Sequence, residues 1–585
     1  IIDGGFQYNH INFYDTEGKN LRIKRVWNQN QSGTPPTGYY YGTEYTNAEE
    51  IIAAKQDYAA SHATHVTGIA AGAYKGNEYY GIAPDADLVF VSYNVSDNSS
   101  SNTSITDGIK YIYDYAESVG KPCVINMSLG YHIGPHDGTS TFDRICDELQ
   151  GEGRLLVGAS GNEAEYNIHA TKTLKKGDTN MKSLVEFVSN WYLYGSMTST
   201  VDIWGDAEKQ LSARVFVYDI LNKKEVYSSE SFSTTTSTSK KISNPTGADG
   251  NIYISTATNP YNKKGNITID LNLSSFDNRN YYIGFEISGP EETTINAWTD
   301  AYMSWLSNFG NSEFTNGDNN STMGEIGGTG KRIITVGAYT SCNYIDHKNS
   351  SMWNNSGQTL NQLVSFSSLG PTADGRMKPD ITAPGSMLIS SFNSSTSSNR
   401  NGEDYNYVVK QENVNTVNYY YGSMEGTSMA TPVVTGVLAT WLQANPKLTP
   451  EQVREILSNT ATTDSYTGNI AGVGNNRWGY GKINAYDGLV YCLNHSGIEQ
   501  IGTPTRPMVY PNPATDICYF LLQNDDKNVN VSIYTLNGTE IYSRYMGNIN
   551  AGEQNQLDLS DLAAGIYFIH ITGDKTNMTT KLTVK

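Results

Sequence analysis

The chain has 585 residues and a formal net charge of −19, so nucleic acids and anionic membranes, which select basic surfaces, are poor partners for it. Its 38% hydrophobic and 11% aromatic content fills several cores, and the length predicts about three to four domains. No apolar run reaches the roughly 18 residues of a membrane helix.

Ile1 reads as mid-strand and carries no initiator Met, so we expect a processed or truncated N-terminus with any export signal upstream. Residues 1–164 then alternate short apolar strands, at 88–91, 124–127 and 155–157, with helical stretches. Ile105, Ile109, Ile112, Ala116 and Val119 recur in steps of four and three, the stripe of one helix face. Ser104 and Asp107 resemble a capping box at its start, and Gly120 a stop at its end. Strand–helix alternation predicts an α/β fold with a parallel sheet flanked by helices. Across residues 165–300 the helical stripes vanish. Period-two runs such as 213–218 and 267–271, set between Ser/Thr/Asn/Gly clusters, predict an inserted all-β sandwich. The α/β pattern returns over 301–497, with a strand at 333–336 and a capping box in Thr449-Pro450-Glu451-Gln452. Residues 498–507 read as a linker. Residues 508–585 read as a C-terminal β-sandwich domain with a turn signal at Asn537-Gly538.

Five cysteines, Cys123, Cys146, Cys342, Cys492 and Cys518, form no CxxC pair. That argues for buried free thiols rather than a zinc or iron–sulfur centre, with one disulfide left open. Three other segments carry candidate chemistry. Asp3 follows an apolar pair and precedes Gly4-Gly5. His62 lies in Ser61-His62-Ala63-Thr64-His65-Val66-Thr67-Gly68, and Ser428 in Gly426-Thr427-Ser428-Met429-Ala430-Thr431-Pro432. Each alone has an ordinary reading, as a turn, a packed helical His, or a cap. Together they supply what acyl transfer needs: a nucleophile, a base, and an acid that fixes the base's tautomer. The chain order Asp, His, Ser is one of the known triad orders.

On these residues the chain resembles the subtilisin-like serine peptidases. HATHVTGIAAG, beginning at His62, is similar to that family's histidine motif, and GTSMATP to its serine motif. The segments at 124–130 (VINMSLG), 158–163 (GASGNE), 366–371 (FSSLGP), 378–385 (KPDITAPG) and 477–485 (RWGYGKINA) follow the family pattern as well. The resemblance implies a triad of Asp3, His62 and Ser428 and an oxyanion-hole Asn162. It also implies a substrate-binding segment of Ser128, Leu129 and Gly130, a structural His65, and protein or peptide substrates. It implies no required cofactor and assigns no metal site. Structural calcium is left open, with the loop Lys75-Gly76-Asn77-Glu78 read as a solvated turn. Two departures, Ala63 and Ser160 where the family has Gly and Ala, are small. The floor of the first specificity pocket should come from the segment after Asn162, where the insert interrupts the pattern.

The separation of 59 residues between Asp3 and His62, with a β-insert directly after the oxyanion Asn, resembles the Csp-type subtilases, whose jelly-roll insert braces the peptidase domain. Relatives of that type include inactive members, so a pseudopeptidase acting as a binding or scaffolding protein is the alternative. A carbohydrate-binding surface protein rests only on the two β-domains. The tail, from Tyr510-Pro511-Asn512-Pro513 through Gly565-Ile566-Tyr567, resembles the C-terminal sorting domain of the type IX secretion system of Bacteroidetes. That implies contact with the type IX machinery and a secreted or cell-surface location.

Overall fold

The computed structural model describes residues 1–94, 102–187, 197–300, 303–495, 508–522, 524–535 and 539–585. One eight-stranded sheet organises the first part of the chain. Its strands are β1 (Ile2–Asp3), β2 (Ile23–Asn28), β3 (Thr43–Tyr45), β4 (Leu88–Ser92), β5 (Cys123–Met127) and β6 (Arg154–Ala159), joined after the insert by β19 (Ile334–Tyr339) and β20 (Ile381–Pro384). The order is β20-β19-β6-β5-β1-β4-β2-β3. Neighbours run parallel except β2 and β3. Chain order reverses at β1, which lies between β4 and β5, so the carboxyl ends of β1 and β5 open onto a switch-point crevice.

Helices cover both faces. On one, α2 (His62–Ala71) and α5 (Thr427–Ala444) pack together. They bury Val66, Val433, Val434, Val437, Leu438 and Trp441 against Val157, Ile334 and Val336. On the other, α3 (Thr103–Ser118) and α4 (Thr141–Leu149) close over Ile125, Met127 and Leu156. The short α1 (Ala48–Ala54) and the later α6 (Pro450–Thr460) and α7 (Ala485–His495) complete the set. The predicted stripe of α3 buries Ile105, Ile109 and Ile112, whereas Val119 lies beyond the last helical residue and is exposed. The expected cap at Ser104 is corrected. The helix begins at Thr103 behind Asn102, whose φ of 45° is left-handed, and Ser104 is buried in the first turn. Gly120, at φ 65°, does end it. The capping box at Thr449 forms in full.

The insert is a two-sheet sandwich. Its strands are β7 (His169–Thr173), β8 (Asn180–Phe187), β9 (Met197–Ala207), β10 (Ser212–Asp219), β11 (Lys224–Ser228), β12 (Phe232–Ser233), β13 (Thr238–Ser243), β14 (Ala248–Thr258), β15 (Lys264–Phe276), β16 (Tyr281–Ser288), β17 (Thr294–Thr299) and β18 (Ser304–Ser307). They form sheets ordered β11-β10-β16-β8-β18 and β13-β14-β15-β9-β17-β7, with β12 on β10. Alternate residues of β15, namely Ile267, Ile269, Leu271 and Leu273, enter the shared core. Because β18 pairs with β8, the sandwich's hydrogen bonding runs past residue 300. A further antiparallel sheet precedes α5: β21 (Leu388–Phe392), β22 (Val408–Val414) and β23 (Val417–Met424), ordered β21-β23-β22.

Residues 495–585 form a second compact unit. Its strands β24 (Met508–Tyr510), β25 (Ile517–Leu521), β26 (Asp526–Thr535), β27 (Glu540–Ile549), β28 (Asn555–Asp558), β29 (Gly565–Thr572) and β30 (Asn577–Val584) make sheets of three and four strands. Between them lies a core that includes Phe520, Val531, Ile533, Ile569 and Leu582. The expected linker at 498–507 and the turn at Asn537-Gly538 lie outside the described residues. All five cysteines are free thiols.

Candidate active site

Asp3 ends β1, where the sheet delivers its carboxylate to the crevice. Its Oδ1 meets His62 Nδ1 at 2.8 Å and accepts the Gly4 N–H at 2.7 Å. Gly4 and Gly5 turn the chain away at once. A Cβ on Gly4 would meet the Tyr58 hydroxyl at 2.0 Å, and Gly5 has φ of 87°. Asp57 clasps this turn by accepting the N–H groups of Gly5 and Phe6 at 3.0 and 2.7 Å. Burial works against the His62 imidazolium, but the charge and hydrogen bond of Asp3 outweigh it, and the pKa is raised above the usual 6.5. The His62 side chain is 38% exposed, open to a reacting group, against 4% for Asp3. One turn on, His65 is fully buried. Its Nε2 faces the carbonyls of Leu388 and Gly422 at 3.0 and 3.1 Å, and burial depresses its pKa to about 3. It ties β21 and β23 to α2.

Ser428 stands in the first turn of α5, behind Gly426 at φ 148°. Pro432 lies four residues on and has no N–H to give to the Ser428 carbonyl. Ser128 Oγ donates to that carbonyl instead, at 2.8 Å, while Ser428 Oγ donates to the Ser128 carbonyl at 3.4 Å. Ser128 is itself aimed by Asn126 Nδ2 at 3.0 Å, and Asn126 Oδ1 accepts from Thr435 Oγ1 at 3.0 Å. The segment after β5 is thereby fastened to α5. Among the described residues Ser428 Oγ makes no hydrogen bond to His62; in ligand-free sites such bonds are often loose.

Asn162 follows β6. The Thr427 backbone N–H, which is only a donor, reaches its side chain at 2.9 Å, so the atom there is the oxygen. Thr427 Oγ1 adds a second bond at 3.0 Å. The amide NH₂ is therefore the group left to act as a donor beside the N-terminus of α5, where the helix dipole favours negative charge. Sequence reasoning missed Thr427 as the residue that orients Asn162. The signal was present in the GTS motif, but the partners are 265 residues apart.

Of the segment Ser128, Leu129 and Gly130, Ser128 is buried, Leu129 packs on the core around α3, and Gly130 is exposed with open space at its Cβ position. Residues after the insert pack against it. Gly324 lies beside Gly130, and the Glu325 N–H donates to the Tyr131 carbonyl at 2.6 Å. Glu325 shares the Thr329 hydroxyl with Asp143, and burial raises the pKa of both carboxyls, with the Asp143 charge adding to the rise at Glu325. In the loop at 75–78, Asn77 is used internally, donating to the Tyr421 hydroxyl at 2.7 Å. Among the described residues no group of three or more His, Cys, Asp or Glu is placed to hold a metal.

A profile of the subtilase family matches residues 1–481, and one of the secretion system C-terminal sorting domain matches residues 508–585. The serine protease AprX of Bacillus subtilis (strain 168) is 36% identical over 158 residues, covering 27% of this chain and 30% of that protein. The minor extracellular protease Vpr of the same organism is 36% identical over 123 residues, covering 20% of this chain and 13% of that protein. Each of these two matches spans less than a third of the relative's own length. The structure of the Clostridium perfringens CspB protease has the same fold, with a TM-score of 0.62 at 19% identity, covering 85% of this chain and 95% of that one.

Proposed function

The chain belongs to the subtilase family, and on that footing we propose that it is a serine endopeptidase whose triad is Asp3, His62 and Ser428. Ser428 Oγ attacks the scissile carbonyl while His62 Nε2 takes its proton, and Asp3 Oδ1 holds the Nδ1–H and supports the imidazolium. The Asn162 NH₂ and the Ser428 backbone N–H donate to the oxyanion. His62 then returns the proton to the leaving amine, and an acyl-enzyme on Ser428 remains for water to hydrolyse, with His62 again as base. Ser128, Leu129 and Gly130 pair with an extended substrate backbone. The observation that carries this reading is the 2.8 Å Asp3–His62 bond, made at the end of the helix that packs against the one opening with Thr427-Ser428.

The sorting domain at the C-terminus and the extracellular relatives assign the chain to secretion or the cell surface. We propose type IX machinery as the export route, with residues 1–164 and 301–497 apart from β18 as the peptidase domain, 165–300 together with β18 as a bracing insert and 508–585 as the export signal. The test is cleavage of a peptide library by the full-length protein and by H62A. Fragments from the wild type and none from H62A support the reading. Peptides bound but uncut by the wild type would instead make the chain a scaffold.

A further inference from the structure

Glu163 follows Asn162 in sequence and turns inward rather than toward the crevice, leaving only 4% of its surface exposed. Its Oε2 accepts the Asn162 N–H at 2.6 Å and the Ser368 hydroxyl at 3.0 Å, and His132 Nε2 meets it at 3.3 Å. The Ser368 hydroxyl also accepts the Glu163 N–H at 3.0 Å, and the Ser368 N–H donates to the Gly161 carbonyl at 3.0 Å. Gly161 leaves room for the carboxylate, since a Cβ there, at φ 108°, would meet Glu163 Oε2 at 2.3 Å. Burial alone would neutralise this acid, yet His132 and the hydrogen bonds hold its pKa below the usual carboxylate value. One buried carboxylate thus joins the loop of Asn162, the loop that runs on from Gly130, and the segment at 366–371.

His132 does not stand alone. Its ring stacks on His136 with centroids 6.2 Å apart, and His136 stacks on Trp298 of β17 at 4.1 Å. His136 Nε2 faces the His132 carbonyl at 3.0 Å, and Trp298 Nε1 donates to the Ser321 carbonyl at 3.0 Å. We infer that Glu163 and His132 are positioning residues that fix the backbone of Asn162, and that the insert steadies them through the His136–Trp298 stack. This rests on the proposed role of Asn162 and adds a device by which the insert sets the quality of the oxyanion site.

The decisive experiment is a double-mutant series in the full-length protein, with steady-state kinetics and the affinity of a peptide aldehyde, an analogue of the tetrahedral state, beside that of an uncleaved product peptide. E163A and H132A should lower kcat about 10- to 100-fold and leave KM within about 2-fold, since a displaced donor costs transition-state binding. Aldehyde affinity should fall in step and product affinity should not. E163Q, whose amide oxygen still accepts the Asn162 N–H, should recover part of the loss, and W298L should reproduce it more weakly. On an N162A background E163A should add little, because both act through one group. Full additivity on that background, or a change in KM alone, overturns the inference. Should E163A fail to fold, H132A decides: wild-type kcat in H132A overturns the inference, and a lowered kcat at unchanged KM supports it. A wild type that cleaves nothing would sink the peptidase reading itself, whereas an active wild type with indifferent variants sinks only this one.

Discussion

His62 serves as a base only when neutral, and Asp3 pulls the other way by stabilising its charged form. The acid limb of kcat/KM should therefore fall at a pH above the usual 6.5 of histidine. D3N removes that charge, so the limb should move to lower pH while kcat drops about 10⁴-fold from the wrong tautomer. An unshifted limb in D3N would contradict the pairing. N162A should lower kcat about 10²–10³-fold with little change in KM. At this scale the motif residues Asp3, His62, Asn162 and Ser428 are legible because each sits in a short run of characteristic neighbours. Thr427, Asp57, Glu163 and His132 are not, because their roles are created by contacts between distant segments. Pro432 falls between: it is visible in GTSMATP, but its effect on the Ser428 carbonyl needs the helix and the Ser128 hydroxyl together.

Between the sheet and its helices lies a buried ionic group around Asp380. Asp380 accepts from Lys378 Nζ, Arg454 Nε and the Thr335 N–H at 2.7, 2.7 and 2.8 Å, joining β20, α6 and β19. Burial opposes its ionisation, but Arg454 and Lys378 prevail and lower the pKa to about 2. Its folded value lies below the unfolded 3.8, so it contributes stability above about pH 4 that is lost as the pH falls through 2. D380N leaves two cations without their counter-charge and should cost about 3–5 kcal/mol in urea unfolding at neutral pH. Asp143 behaves oppositely. Its pKa is raised by burial first and by the charge of Asp147, so its cost grows as the pH climbs above the ordinary range near 4. D143N should flatten that decline in stability, and an unchanged slope would rule the group out as its source. The elements themselves were largely readable. The capping box of α6 formed as its sequence predicts, and the cap of α3 did not, because the chain enters that helix through left-handed Asn102 and has no use for Ser104 as a cap.

Across the whole molecule the two β-regions are attached differently. The insert touches the α/β part at many points. Asp202 accepts the Gly134 N–H at 2.8 Å, Lys264 pairs with Asp137 at 2.6 Å, and Asn262 donates to Thr139 at 2.8 Å. Excising it through the end of β18 should yield insoluble or inactive protein, because the loop at 132–139 loses its partners. Residues 495–585 are a separate compact unit, so truncation near Gly497 should leave peptide hydrolysis intact while abolishing delivery to the cell surface. Loss of hydrolysis on truncation would make the tail structural. The change from helical stripes to period-two strands exposed this division in the sequence, but the return of β18 to β8 was hidden, since Ser304–Ser307 is too short to carry a pattern. The central claim, covalent catalysis at Ser428, is tested most directly by treating full-length protein and S428A with a fluorophosphonate and mapping the adduct by mass spectrometry. The account predicts one adduct per wild-type chain, on Ser428, with hydrolysis lost in proportion, and none on S428A. A wild type that cleaves peptides without being labelled, or an S428A protein that still cleaves them, would contradict it.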